Sequence, residues 1–118
     1  MKKENVIKEK SFKFAVRIVK MYKHLTENKK EYTLSKQLLR SGTAIGALVH
    51  EAEHGESNQD FIHKLMIALK EANETDYWIR LLKETEIITT SEFESIESDI
   101  TEIIKILAKI IKTSKQKL

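Results

Sequence analysis

Apolar residues recur along this chain at intervals of three and four, in four separate stretches. That spacing puts them on one side of a helix, so each stretch predicts an amphipathic helix with a buried face. The first is expected over about 11–28. Phe12, Val16, Val19 and Tyr22 form one stripe there, and Phe14, Ile18, Met21 and Leu25 a second; together they predict a broad buried face. The second helix is expected over about 33–54, with Thr33 as N-cap and Leu34, Leu38, Ile45, Val49 and Ala52 turned inward. The third, over about 57–85, opens on Ser57 as N-cap, with Asp60 completing an acidic variant of the capping box. Phe61, Leu65, Ala68, Ala72, Thr75, Ile79 and Leu82 follow at alternating intervals of four and three. Ile62, Met66 and Leu69 make a second apolar edge, and Trp78 and Leu81 lie on another flank. The fourth, over about 91–115, opens on a capping box from Ser91 to Glu94 and carries Phe93, Ile96, Ile100, Ile103, Leu107 and Ile110.

No stretch predicts a strand, and no segment repeats. Short connections make consecutive helices antiparallel, so the fold expected is all-α: an up-down-up-down four-helix bundle, one domain over residues 1–118. Gly42 and Gly46 fall inside the second helix, where each costs about 1 kcal/mol relative to alanine. With Ser41, Thr43, Ala44 and Ala47 they make a flat, small surface that predicts the close approach of a neighbouring helix. A phosphate loop is excluded because no Gly-Lys-Ser/Thr follows. Gly55 is expected to end the helix. The second apolar edges of helices one and three exceed what one bundle core needs, which predicts a closed homo-oligomer.

Composition narrows the class. A chain of 118 residues can bury a real core, and the absence of proline leaves long helices uninterrupted. The absence of cysteine excludes disulfides and thiolate zinc sites and fits a cytoplasmic protein. No apolar run approaches the roughly 18 residues that span a bilayer, and no apolar segment follows the first lysines, so neither a membrane span nor a signal peptide is expected. The net charge of +3 divides unevenly: +8 over residues 1–40, −10 over 41–104 and +5 over 105–118. Basic ends flank an acidic middle.

Several short motifs stand in a fixed order: Leu38-Leu-Arg-Ser-Gly-Thr43, Glu51-Ala52, Asp60-Phe61, Lys64-Leu65, Ala68-Leu-Lys-Glu-Ala72, Glu74-Thr-x-Tyr-Trp78 and Ile110-Ile-Lys-Thr113. In order and spacing this set resembles the four-helix-bundle family of 23S rRNA intervening-sequence proteins, over essentially the whole chain. One departure is His50, where that family usually has asparagine. The resemblance implies a bundle that assembles into a ring, typically a pentamer, without enzymatic activity. It also implies kinship with accessory proteins of diversity-generating retroelements, which bind nucleic acid and a reverse transcriptase.

Three constellations carry candidate chemistry. The segment from His50 to His54 matches the His-Glu-x-x-His pattern of zinc peptidases, with Glu51 as the base and His63 on the next helix as a third ligand. Substrate-binding strands are missing, and Ser57 and Asp60 stand where the extended pattern needs glycine and histidine. The chain is therefore read as a non-enzyme without a cofactor. Metal at His50, His54 and His63 would be adventitious zinc, nickel or copper, and a metal-dependent hydrolase is the distant alternative.

Antiparallel register next brings Arg40 level with Glu71 and Glu74, which predicts an internal ion network that fixes helix register. Losing Arg40 would then strand buried carboxylates at a cost on the order of 3 kcal/mol. Finally, Lys2, Lys3, Lys8, Lys10 and Lys13 share one pole of the bundle with Lys105, Lys109, Lys112, Lys115 and Lys117. Acidic Glu51, Glu53, Glu56 and Asp60 lie at that same pole. Lysines outnumber arginines eighteen to three, and no aromatic ladder interleaves them. That balance suits phosphate neutralisation of RNA or DNA rather than base recognition. The alternative is a scaffold that docks a protein partner, such as a reverse transcriptase, without nucleic acid.

Overall fold

The computed structural model describes residues 3–117. It contains four helices, α1 (Lys3–Glu27), α2 (Leu34–Glu53), α3 (Asn58–Glu84) and α4 (Thr90–Gln116), and no strand among the described residues. Each helix packs on the next, and α4 returns to α1, so α1 and α3 lie on one diagonal of the bundle and α2 and α4 on the other. The α1–α4 seam is the loosest of the four. The molecule measures 47 × 22 × 21 Å. Its long axis reflects helix length, since 27 residues rise about 40 Å. No described helix is long and apolar enough to cross a membrane.

The core runs the full length of the bundle. Fully buried Ile18, Leu38, Ile45, Leu65, Ile79, Leu82, Ile96, Ile100 and Leu107 form its spine. On α3 all of the alternating positions after Phe61 are buried, including Thr75. Helix α1 differs from expectation at its start: it begins at Lys3, eight residues before Ser11. Ile7, Ser11, Phe14, Ile18 and Leu25 continue one buried stripe through that point. Ser11 is therefore an interior residue, bonded through its hydroxyl to the Lys8 carbonyl oxygen at 3.2 Å. The face of α1 is also narrower than expected. Phe12, Val16 and Val19 are exposed, because the core already has its α1 contribution from the opposite side of the helix.

Small residues on α2 let α1 come close. A Cβ added at Gly42 would stand 2.8 Å from Ile18 Cγ1, and one at Gly46 would stand 3.1 Å from the Ser11 carbonyl oxygen. Toward α3, the buried Ser41 and Thr75 hydroxyls are hydrogen-bonded at 2.9 Å, and Thr75 Oγ1 also lies 2.7 Å from the Glu71 carbonyl oxygen. This polar pair is satisfied within the core, which removes most of the cost of burying it.

The caps correct three expectations. Thr33 makes no side-chain cap to α2. The Glu31 carboxylate does so instead, accepting from the backbone N–H groups of Thr33, Leu34 and Ser35 at 3.0, 3.0 and 2.7 Å. Burial pushes the Glu31 carboxyl up, but those three donors outweigh it and hold it below the ordinary value. The capping box of α4 is Thr89 with Glu92, two residues ahead of the Ser91 pattern. Ser57 caps α3 by accepting from the Asp60 N–H at 3.1 Å, while the Asp60 carboxylate faces the Glu56 N–H at 3.4 Å rather than completing a box with Ser57. Gly55 follows the end of α2 without a positive φ. The two left-handed residues are Lys30 and Glu86, after α1 and α3. Glu86 occupies the glycine-favoring position of a Schellman ending, with the Ile87 N–H donating to the Leu82 carbonyl oxygen at 3.0 Å.

Candidate functional site

The outer surface offers two apolar ridges. Phe12, Val16 and Val19 follow one another on α1 directly opposite its buried stripe, and Phe12 is 68% exposed. Met66 and Tyr77 stand on the outward face of α3, separated along it by exposed Lys70 and Asn73, with Tyr77 57% exposed and its ring edge-on to Trp78 at 5.1 Å between centroids. Because α1 and α3 are diagonal, the two ridges face away from each other. An open groove of about 410 Å³ lies between Phe12 and α2, with Gly46 and His50 in its lining.

The Arg40 cluster bridges α2 and α3. Its guanidinium lies 3.3 Å from Glu71 and also contacts Glu74. The Glu74 carboxylate accepts from the Trp78 indole N–H at 3.0 Å as well. The cluster is less interior than expected: the Arg40 side chain is 50% exposed, while that of Glu71 is 18% exposed. Water therefore solvates part of the network, and the Arg40→Ala change should cost about 1 kcal/mol rather than three. Chemical denaturation checks this; a loss above about 3 kcal/mol would show that the carboxylates are stranded as buried charges.

Three further polar clusters were not read from the sequence. Arg17 of α1 reaches Asp99 of α4 at 2.8 Å and also bonds to Ser95. Lys10 pairs with Glu102 at 2.9 Å across the same seam. Arg80 of α3 joins Asp76 at 3.0 Å to Glu97 of α4 at 3.1 Å. Apart from Asp76–Arg80, which are one turn apart on α3, these pairings depend on interhelical register, for which the sequence carries no local signal.

The Asp76–Glu97 pair has its own electrostatics. Asp76 Oδ1 and Glu97 Oε2 are buried without a hydrogen-bond partner. Burial, and then the neighbouring Asp76 carboxyl, raise Glu97 above the ordinary carboxylate value. A raised carboxyl stabilises the fold in its protonated form; that contribution is full below the unfolded value and is lost as pH rises through the folded one. Glutamine is neutral at every pH and has an N–H for an orphan oxygen. Glu97→Gln should therefore raise stability at pH 7 by about 1 kcal/mol, and the difference from the parent chain should shrink toward pH 4. Glu31 and Glu92 act oppositely: both are held below the ordinary value, so their contributions disappear as pH falls. Thermal melts of both chains at the two pH values provide the check; a variant less stable than its parent at pH 7 would refute it.

The lysines divide into two groups. Lys8 pairs with Glu53, Lys10 with Glu102 and Lys13 with Glu9, each at 2.8–2.9 Å. By contrast, Lys105, Lys109, Lys112 and Lys115 on α4 and Lys117 just after it are exposed, and none has a carboxylate partner among the described residues. Lys2 and the side chain of Lys3 lie outside the described residues. The acidic residues at the end of α2 face α1 and α3: Glu53 holds Lys8, and Glu51 reaches Lys64 at 3.4 Å.

At the end of α2, His50 and His54 are exposed, with ring centroids 5.4 Å apart. The third donor within reach of both is Glu53 and not His63, and Glu51, the base of the peptidase pattern, is not part of the cluster.

A family model described as "23S rRNA-intervening sequence protein" matches residues 3–109. A solved structure of a protein of unknown function from the S23 ribosomal protein family of Bacteroides thetaiotaomicron is similar, with 59% identity and a TM-score of 0.93. That similarity covers 94% of this chain and 99% of that one. No curated protein matches the chain.

Proposed function

The chain belongs to the 23S rRNA-intervening sequence protein family, and from that premise we propose a non-enzymatic interaction protein that closes into a homo-oligomeric ring and binds RNA or DNA by phosphate electrostatics. The observation that carries the assembly is the pair of apolar ridges on diagonally opposite helices. Two different patches facing opposite ways meet head to tail, and such contacts close into a ring when the rotation between copies permits. Five copies is the number implied by the family resemblance.

Nucleic-acid binding rests on the α4 lysines, which lack carboxylate partners among the described residues. Repeated around a ring, they would concentrate positive charge. Ammonium groups neutralise phosphates as point charges, so binding should be weakly sequence-dependent and strongly salt-dependent. Replacing Lys109, Lys112, Lys115 and Lys117 with glutamine should weaken binding to every sequence by a similar factor. It should also flatten the salt slope by about 0.9 per lost duplex-DNA phosphate contact. Fluorescence anisotropy with structured RNA and duplex DNA, at low and physiological salt, tests this. Absence of binding at low salt would favour the second reading, a scaffold that docks a protein partner. The paired state of Lys8, Lys10 and Lys13 supports that alternative, because acidic side chains neutralise the described α1 lysines of the basic pole.

A further inference from the structure

The last turn of α2 gathers a donor set that neither ring closure nor phosphate binding uses. His50, Glu53 and His54 are all exposed, and one ligand atom of each lies within 4.8 Å of the others. Residues four apart share one helix face, which puts both imidazoles on the same side. Tetrahedral zinc, with bonds of about 2.0–2.1 Å, needs donor atoms roughly 3.3 Å apart. Side-chain rotation of exposed residues covers that difference without moving the backbone. The site also sits where the terminal carbonyls of α2 leave partial negative charge, a favourable place for a cation.

We infer that the last turn of α2 is a solvent-open site for a divalent transition metal, held by His50 and His54 with Glu53 as the third donor. Two imidazoles and one carboxylate favour zinc, nickel or copper over magnesium or calcium. Water fills the remaining coordination positions. No hydrolytic step is assigned, because Glu51, the residue that would serve as base, is held by the Lys64 ammonium at 3.4 Å. The three donors are exposed and lie outside the hydrophobic core, so the ion is expected to bind as a ligand rather than to hold the fold together.

The structure also contains a competitor. The Lys8 ammonium lies 2.9 Å from Glu53 and occupies the carboxylate that the metal needs. Metal binding therefore displaces Lys8, and removing that lysine should strengthen binding.

Isothermal titration of the full, untagged chain with zinc, and separately with nickel, tests the site. The expected result is saturable binding of one ion per chain. His50→Gln and His54→Gln should each weaken it about tenfold or more, Lys8→Gln should tighten it severalfold, and His63→Gln should leave it unchanged. Circular dichroism verifies that every variant is folded. Two results would overturn the inference: no saturable zinc binding below about 100 μM, an affinity too weak for a specific site, or a His50→Gln/His54→Gln double variant that titrates like the parent chain.

Discussion

Gly42→Val should lower the unfolding temperature by roughly 10 °C or more, equivalent to about 3 kcal/mol. Even a methyl group at this position meets Ile18 Cγ1 at 2.8 Å, Cγ2 at 3.0 Å and Cδ1 at 3.2 Å. Ile18 is fully buried and has no open side toward which to rotate. The new side chain can fit only if α1 moves away from α2. That movement would also disturb the Gly46–Ser11 contact one turn along. Alanine should be milder, because its gain of about 1 kcal/mol in helix propensity offsets part of the clash. Melting curves of the glycine, alanine and valine chains give the order directly. A valine chain as stable as the parent would show that the close approach of α1 and α2 is not needed.

Phe12→Asp should release monomers while each bundle stays folded, and Tyr77→Asp should do the same. Both side chains are mostly exposed within one chain, so a polar replacement costs the isolated bundle little. In the assembly, each change would bury a carboxylate against an apolar ridge without a partner, at several kcal/mol per contact. A head-to-tail contact adds a sharper expectation. A Phe12→Asp chain retains an intact α3 ridge, and a Tyr77→Asp chain retains an intact α1 ridge. Mixed in equal amounts, the two variants should form dimers that extend no further. Light scattering on each variant and on the mixture decides it. Variants that keep the parent's mass would place the subunit contact elsewhere, and a mixture that stays monomeric would exclude head-to-tail pairing.

The helices and the α3 seam were legible because burial repeats at the helical period, and Leu65, Ala68, Ala72, Thr75, Ile79 and Leu82 keep that period without a break. The closeness of α1 and α2 was legible as well, because only contact explains two mid-helix glycines. The start of α1 was not: Lys8, Glu9 and Lys10 precede Ser11, and that charged run interrupts the apolar pattern although Ser11 itself is an interior contact. The signal that could have found it is Ile7, four residues before Ser11 and in line with Phe14 and Ile18.

The caps slipped as well. Thr33 and Ser91 have capping side chains, but Glu31 and Thr89 stand where the free N–H groups point. On α1, two stripes of equal hydrophobicity looked equally buried. Periodicity finds apolar faces but does not tell which of two the core takes. The side-chain clusters were legible in proportion to how local they are. Two histidines one turn apart can be read from the sequence, but the choice between Glu51 and Glu53, and the hold of Lys8 on Glu53, depend on α1 lying beside α2.

The central claim is that this bundle is the unit of a closed assembly, and the most direct test is the mass of the unmodified chain in solution. Multi-angle light scattering behind size exclusion, at micromolar concentration, should give a single species several times the 13.7 kDa of one chain, with a pentamer as the expected number. A species of 13.7 kDa at every concentration would contradict the account and leave the Phe12 and Tyr77 ridges without the role assigned to them.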